Sequence, residues 1–219
     1  MAVIPIPMLQ DAQGTGLRSN RFQYLSPMQE LWQGGDIGNL VDWMQVDTSL
    51  RWQKRTNSEG KVLTYCDHYA ADFIYQATRK QLISAWVWWT QDAINAIRKG
   101  INVKPIYGET VIEHGARGLH SWIKEWGKYY GWNAVSNDTE LRRNLSDKYT
   151  IGLILTPAHV SVALPDMLQP GIGPPLQTQA GSRNVRLWRQ NDWYKNRTDT
   201  LRYYLDPSLL HNVRKPGYL

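Results

Sequence analysis

The chain is poor in cysteine, poor in phenylalanine and without long apolar runs, and each shortage excludes something. Cys66 is the only cysteine among 219 residues, so no disulfide can form within the chain and the redox compartment stays open. A chain of this length can bury enough apolar surface to fold without a disulfide or metal. The run Ala85-Trp86-Val87-Trp88-Trp89 is far below the roughly 20 apolar residues needed to cross a bilayer. The segment from Met1 to Pro7 lacks a basic region and is broken by prolines, so it does not read as a signal peptide. The expectation is a chain made in the cytoplasm. HExxH, paired Cys/His spacing, a GxxxxGK[ST] loop and Gly-x-Ser-x-Gly are all absent, so neither a metal nor a cofactor is expected.

What is abundant is amphipathic aromatic surface and positive charge. Eleven tryptophans and 12 tyrosines stand against two phenylalanines. Such rings fill cores and also stack on sugars or bases; core packing is the expectation for most of the tryptophans. The net charge is +6, which suits an anionic partner such as nucleic acid, a membrane surface or bacterial cell wall. The basic residues are scattered, with modest concentrations at Lys124 to Arg143 and Arg183 to Arg197. Only the net charge recommends nucleic acid, and a solvated basic surface accounts for it as well.

Periodicity gives the organisation. Residues 1–35 read as an irregular arm, 36–205 as one domain and 206–219 as a tail. Cys66, Tyr69, Ala70, Phe73, Ile74 and Ala77 fall on one face of a helix, for which Thr64 and Asp67 suggest a capping box. Further helices are expected at about 91–99, capped by Thr90 and ended by Gly100, at 118–130 and at 138–146. Residues 40–55 are weakly helical or irregular. The pattern then changes to strands at Tyr149 to Leu155, His159 to Leu164, Val185 to Trp188 and Leu201 to Leu205. Helices followed by antiparallel strands make an α+β fold.

Cys66 falls in a helix's first turn, where the helix dipole favours a thiolate. The bland alternative is a small buried hydrophobe, the commoner fate of a lone cysteine. A base must come from the five histidines. His68 is two residues away and points elsewhere on a helix. His114 and His120 flank the third helix, and His211 lies in the tail. His159 opens a strand, with Val160, Val162 and Leu164 on the opposite face. Gln179, Gln177 or Asn184 could orient its ring; each is also an ordinary strand or turn residue. Glu109 and Glu113 have helical spacing and suggest paired carboxylates or a solvated helix edge.

The order of cysteine at a helix start, helices, histidine opening a strand and a polar residue on the next strand resembles the papain-like peptidoglycan amidases and endopeptidases of the NlpC and CHAP type. Three stretches carry it: Thr64-Tyr65-Cys66-Asp67-His68-Tyr69-Ala70-Ala71-Asp72-Phe73; His159-Val160-Ser161-Val162-Ala163-Leu164-Pro165, with Ala158 where glycine is usual; and Gln177-Thr178-Gln179-Ala180-Gly181. The likeness covers about 60–190. The Cys66-to-His159 separation is long for the smallest members and fits a helical insertion. The resemblance implies N-terminal helices packed on a small antiparallel sheet, with Cys66 as nucleophile, His159 as base and Gln179 as orienter, cleaving an amide bond of the wall peptide. The Cys66 backbone N–H would help form the oxyanion hole, Tyr65 would line the cleft, and Trp86, Trp88 and Trp89 would form a groove wall that could stack on sugar. With no signal peptide, it implies a phage lysin, a virion-associated hydrolase or a secreted effector reaching the wall through a holin, a virion or a secretion machine. The arm and the aromatic tail (Trp188, Trp193, Tyr194, Tyr203, Tyr204) would meet other virion or delivery-machine proteins. The rival is a non-catalytic structural or wall-binding virion protein that keeps the fold.

Overall fold

The computed structural model describes residues 3–7, 30–147 and 149–210. The first helix, α1 (Ile37–Met44), begins three residues before the stretch 40–55 that the sequence marks as weakly helical or irregular. Asp36 accepts from the Asn39 backbone while the Asn39 side chain accepts from the Asp36 backbone, a complete capping box. Two strands follow, β1 (Arg55–Thr56) and β2 (Val62–Leu63), paired antiparallel around the turn at Asn57 to Gly60. The cysteine-bearing helix is α2 (Cys66–Thr78). Its expected face is its buried face: Cys66, Tyr69, Ala70, Phe73, Ile74 and Ala77 all lie in the main core. Its cap is not the expected one. Tyr65 occupies the N-cap without a side-chain cap bond, so Thr64 and Asp67 form no capping box, and Asp67 sits inside the first turn facing His68.

Next come β3 (Val87–Trp89), α3 (Gln91–Arg98) and β4 (Val111–Glu113), with β3 and β4 paired antiparallel. Thr90 caps α3 as its sequence suggested. Glu113 ends a strand and Glu109 lies in the turn before it, so their helical spacing does not correspond to a helix. Trp86, Trp88 and Trp89 are buried. Trp88 packs on Trp122 and Trp126, so the expected sugar-stacking wall is core.

The helix α4 (Gly115–Trp126) starts three residues earlier than its pattern suggests and tightens into a 3-10 turn over Gly127–Tyr130. The early start places Gly118 against the His114 side chain: a Cβ built on Gly118 would stand 1.9 Å from His114 Cβ. Glycine there is a packing requirement, which the reading of 115–117 as pre-helical missed.

The remaining elements are β5 (Trp132–Val135), α5 (Asp138–Asn144), β6 (Gly152–Thr156), β7 (His159–Ala163), β8 (Gln177–Gln179), β9 (Val185–Trp188) and β10 (Leu201–Leu205). They form one antiparallel sheet in the order β5-β10-β6-β7-β8-β9. The α+β class is therefore observed. Register separates the two faces. Leu155 opposite Val160 and Leu153 opposite Val162 belong to the main core with α2 and α4, whereas Ile154 opposite Ser161 and Gly152 opposite Ala163 lie over a second cluster of Leu141, Leu145 and Tyr194. Both faces of β7 are thus covered.

The described parts of the arm pack on this chain. Ile4 and Trp32 are buried in the core, Trp89 Nε1 donates to the Pro5 carbonyl at 2.6 Å, and Trp32 N donates to Gln76 at 2.9 Å. Tyr194 and Tyr203 of the aromatic tail are buried as well, which leaves those two rings no surface for an outside partner. Residues 8–29 and 211–219, with His211, lie outside the described residues. Among the described residues no helix is long and apolar enough to cross a membrane.

Replacing Gly118 by Ala should lower stability by about 1–3 kcal/mol through overpacking, although alanine is the better helix former by about 1 kcal/mol. Urea unfolding measures this, and an unchanged or raised midpoint would show that His114 does not lie over Gly118.

Candidate active site

The site is built at one end of the sheet. His159 is the first residue of β7, and Gln179 ends β8. Val162 pairs with Thr178 and Ala163 with Gln177, so side-chain alternation puts Gln177 and Gln179 on the same face as His159. The two meet: His159 Nε2 lies 2.8 Å from Gln179 Oε1. The Gln179 amide nitrogen donates to the Arg183 carbonyl at 3.3 Å, which fixes the amide orientation and leaves only its carbonyl oxygen facing the ring. A carbonyl accepts and cannot donate, so the His159 proton sits on Nε2. In the neutral ring, Nδ1 then carries the lone pair.

Three neighbours hold this imidazole. Trp193 stands edge-on to it, ring centres 4.8 Å apart. A Cβ built on Gly181 would come within 3.0 Å of Cε1 and 3.6 Å of Nδ1, so glycine leaves that edge of the ring uncrowded. Burial lowers the His159 pKa, opposed by the Gln179 hydrogen bond and by the Asp67 charge. The ring is thereby held neutral in the range where a base must accept a proton.

The other two orienter candidates have different tasks. Gln177 accepts from Ser161 Oγ at 2.7 Å and donates to the Gln190 carbonyl at 2.9 Å, filling a buried polar row beside the His159 pair. Asn184 donates to the carbonyls of Val46 and Trp52 and accepts from Gly181 N. It ties the β8–β9 turn to the segment after α1.

Cys66 is the first residue of α2, buried to 4 % exposure. The helix packs on β7 and β8, and Tyr69 Oη meets Thr178 Oγ1 at 2.7 Å, one residue from Gln179. Cys66 precedes Tyr69 by three residues and shares its face of the helix. That face looks onto Val160, Val162 and Thr178, the side of the sheet opposite His159 and Gln179. Asp67, next in chain to Cys66, carries a charge that opposes the lowering of the His159 pKa.

A second histidine also feels Asp67. His114, at the N-cap of α4, contacts Ser84 Oγ through Nε2 at 2.9 Å. Burial pushes its pKa down to about 4, with Asp67 opposing. His68 contacts Asp67 directly, Nδ1 to Oδ1 at 3.1 Å. His120 is occupied by the Asp199 carbonyl at 2.7 Å. Among the described residues no group of His, Cys, Asp and Glu has the geometry to hold a metal ion. Trp193 and Gly181 were not assigned to the site by sequence: Trp193 sits in a loop without periodicity, whereas Gly181 closes the quoted Gln-Ala-Gly stretch. No protein-family model, curated protein or solved structure matches this chain.

The buried histidines make stability depend on pH. An unfolded histidine titrates near about 6.5, and His114 in the fold near about 4. Between these values the unfolded chain binds more protons, so stability is lost as pH falls. His114 alone accounts for up to about 3 kcal/mol, and the lowered pKa of His159 acts in the same direction. Urea unfolding at pH 7 and pH 4.5 should show the loss, and His114→Gln should flatten it. An equal slope in that variant would refute the assignment.

Proposed function

We infer that this chain is a papain-like cysteine hydrolase that cleaves an amide bond in the peptide of bacterial cell wall, delivered as a phage lysin or virion-associated enzyme. One observation carries the reading: a buried, neutral His159 is fixed by Gln179 with its proton on Nε2 and its basic Nδ1 left for a substrate-side proton. The order of residues that resembles the NlpC and CHAP enzymes supplies the rest, and the net charge of +6 suits an anionic wall polymer.

In this reading the Cys66 thiol gives its proton to His159 Nδ1, and the sulfur attacks the amide carbon. The C–N bond breaks as His159 returns the proton to the leaving amine. A water then attacks the thioester, releasing the carboxylate and restoring the thiol. Gln179 keeps the ring in its working tautomer, the Cys66 backbone N–H helps hold the oxyanion, and Trp193 keeps water from the Gln179 hydrogen bond.

A specific observation favours a second reading. Cys66 is buried and shares its helix face with the side of the sheet opposite His159. That arrangement equally suits a non-catalytic structural or wall-binding virion protein that keeps the fold.

Release of soluble fragments from purified peptidoglycan separates the two. In the first reading Cys66→Ala is inactive, and His159→Ala loses about a hundredfold to ten-thousandfold. Gln179→Ala loses up to about a hundredfold by misplacing the ring. Gln177→Ala and Asn184→Ala instead lower stability by about 1–3 kcal/mol, because each strands buried partners. No cleavage by the wild type, or equal cleavage by wild type and Cys66→Ala, overturns the first reading.

A further inference from the structure

The edge of the His159 ring is supported at two points. At Nε2 it meets Gln179 Oε1 at 2.8 Å. At Cε1 it faces the Gly181 backbone, where a Cβ would stand 3.0 Å from Cε1, 3.6 Å from Nδ1 and 3.8 Å from Nε2. The three atoms nearest to such a Cβ all belong to this ring. The φ of Gly181 lies outside the left-handed region, so the turn itself does not call for glycine. The demand for a missing side chain comes from the imidazole.

Either the turn or the ring would have to yield to a side chain at 181, and the turn is the better held. Gly181 N donates to Asn184 Oδ1 at 2.9 Å, and Asn184 Nδ2 donates to the carbonyls of Val46 at 3.0 Å and Trp52 at 3.1 Å. Gln179 Nε2 ties the same turn through the Arg183 carbonyl at 3.3 Å, and β8 is paired on both sides, with β7 and with β9. The ring is held by the Gln179 bond and by the edge-on Trp193, and its outer torsion has a broad minimum. Turning the ring costs less than breaking several buried hydrogen bonds, so the ring gives way and Nε2 leaves Oε1.

We propose that Gly181 is a positioning residue for His159, resting on the hydrolase reading for the part that His159 plays: the missing side chain at 181 is what lets the ring reach Gln179. Gln179 selects the nitrogen that carries the proton, and Gly181 sets where the ring stops. Asn184 does not touch the imidazole. It pins Gly181, and so it matters to the ring only when position 181 carries a Cβ.

The test is a nitrogen NMR titration of the histidine rings in the full chain, with the His159 signals assigned by their loss in His159→Gln. The Gln179 bond raises the His159 pKa, so Gly181→Ala should lower the proton affinity of the ring by about twofold to tenfold, the contribution of one hydrogen bond. The neutral ring should then carry its proton on either nitrogen instead of on Nε2 alone. Adding Asn184→Ala should restore the wild-type titration, because the freed turn can retreat. Urea unfolding is a second readout. Gly181→Ala should lower the midpoint of the wild type and leave that of His159→Ala unchanged, where there is no ring to meet. If Gly181→Ala folds only in the His159→Ala background, the proposal stands; if it folds in neither, the proposal falls. An unchanged His159 titration in folded Gly181→Ala, no recovery on adding Asn184→Ala, or an equal loss of midpoint with and without the ring also overturns it. Neither measurement uses peptidoglycan, so each succeeds or fails independently of whether the wild type cleaves wall.

Discussion

The burial of one face of α2 against β7 and β8 is the constraint on which the other features depend. Six residues of that face lie in the main core, and a single hydroxyl contact, Tyr69 to Thr178, fixes where the helix sits along the sheet. Full burial of each large apolar side chain contributes about 1.5–3 kcal/mol, so the face outweighs any single polar contact near it. The same packing sets where the helix start, with Cys66 and Asp67, lies relative to β7 and β8. The polar chemistry is placed by apolar packing.

The opposite face is organised by hydrogen bonds with little freedom. Gln179 is held by Arg183, Gln177 by Ser161 and the Gln190 carbonyl, and the β8–β9 turn by Asn184. Tyr194 and Arg202 both bond Asp138, which pins the loop carrying Trp193 to α5 and β10. Arg142 and Arg189 grip Asp166 and carbonyls of the Pro/Gly loop before β8. An unpaired buried polar group costs about 1–3 kcal/mol, so each link resists being broken. The His159 tautomer follows from this chain of partners.

The sequence was most legible where a single period governs. The α2 face and the strands Val185–Trp188 and Leu201–Leu205 were all visible, because burial on one side imposes period 3.6 or 2 on the residues. It was least legible where a distant partner decides. The cap of α2 was misassigned because Asp67 turns to His68. The start of α4 lies three residues before the expected 118, where Gly118 packs inside the helix against His114. The tryptophans at 86, 88 and 89 invited a surface role that their burial removes, with aromatic partners from α4 around Trp88. Gln179 was separable from Gln177 and Asn184 only by an assumed family order; with hydrogen bonds visible, it is separated by what each amide touches.

Sequence by itself determined the α+β class, the apolar face that buries Cys66 and the strand that His159 opens, because local periodicity and turn residues suffice for these. Tertiary structure decided which amide meets the imidazole, which ring nitrogen carries the proton, and that Tyr69 of α2 bonds Thr178 of β8. Those are contacts between residues far apart in the chain. Strand register and helix docking set them, and no local pattern encodes either.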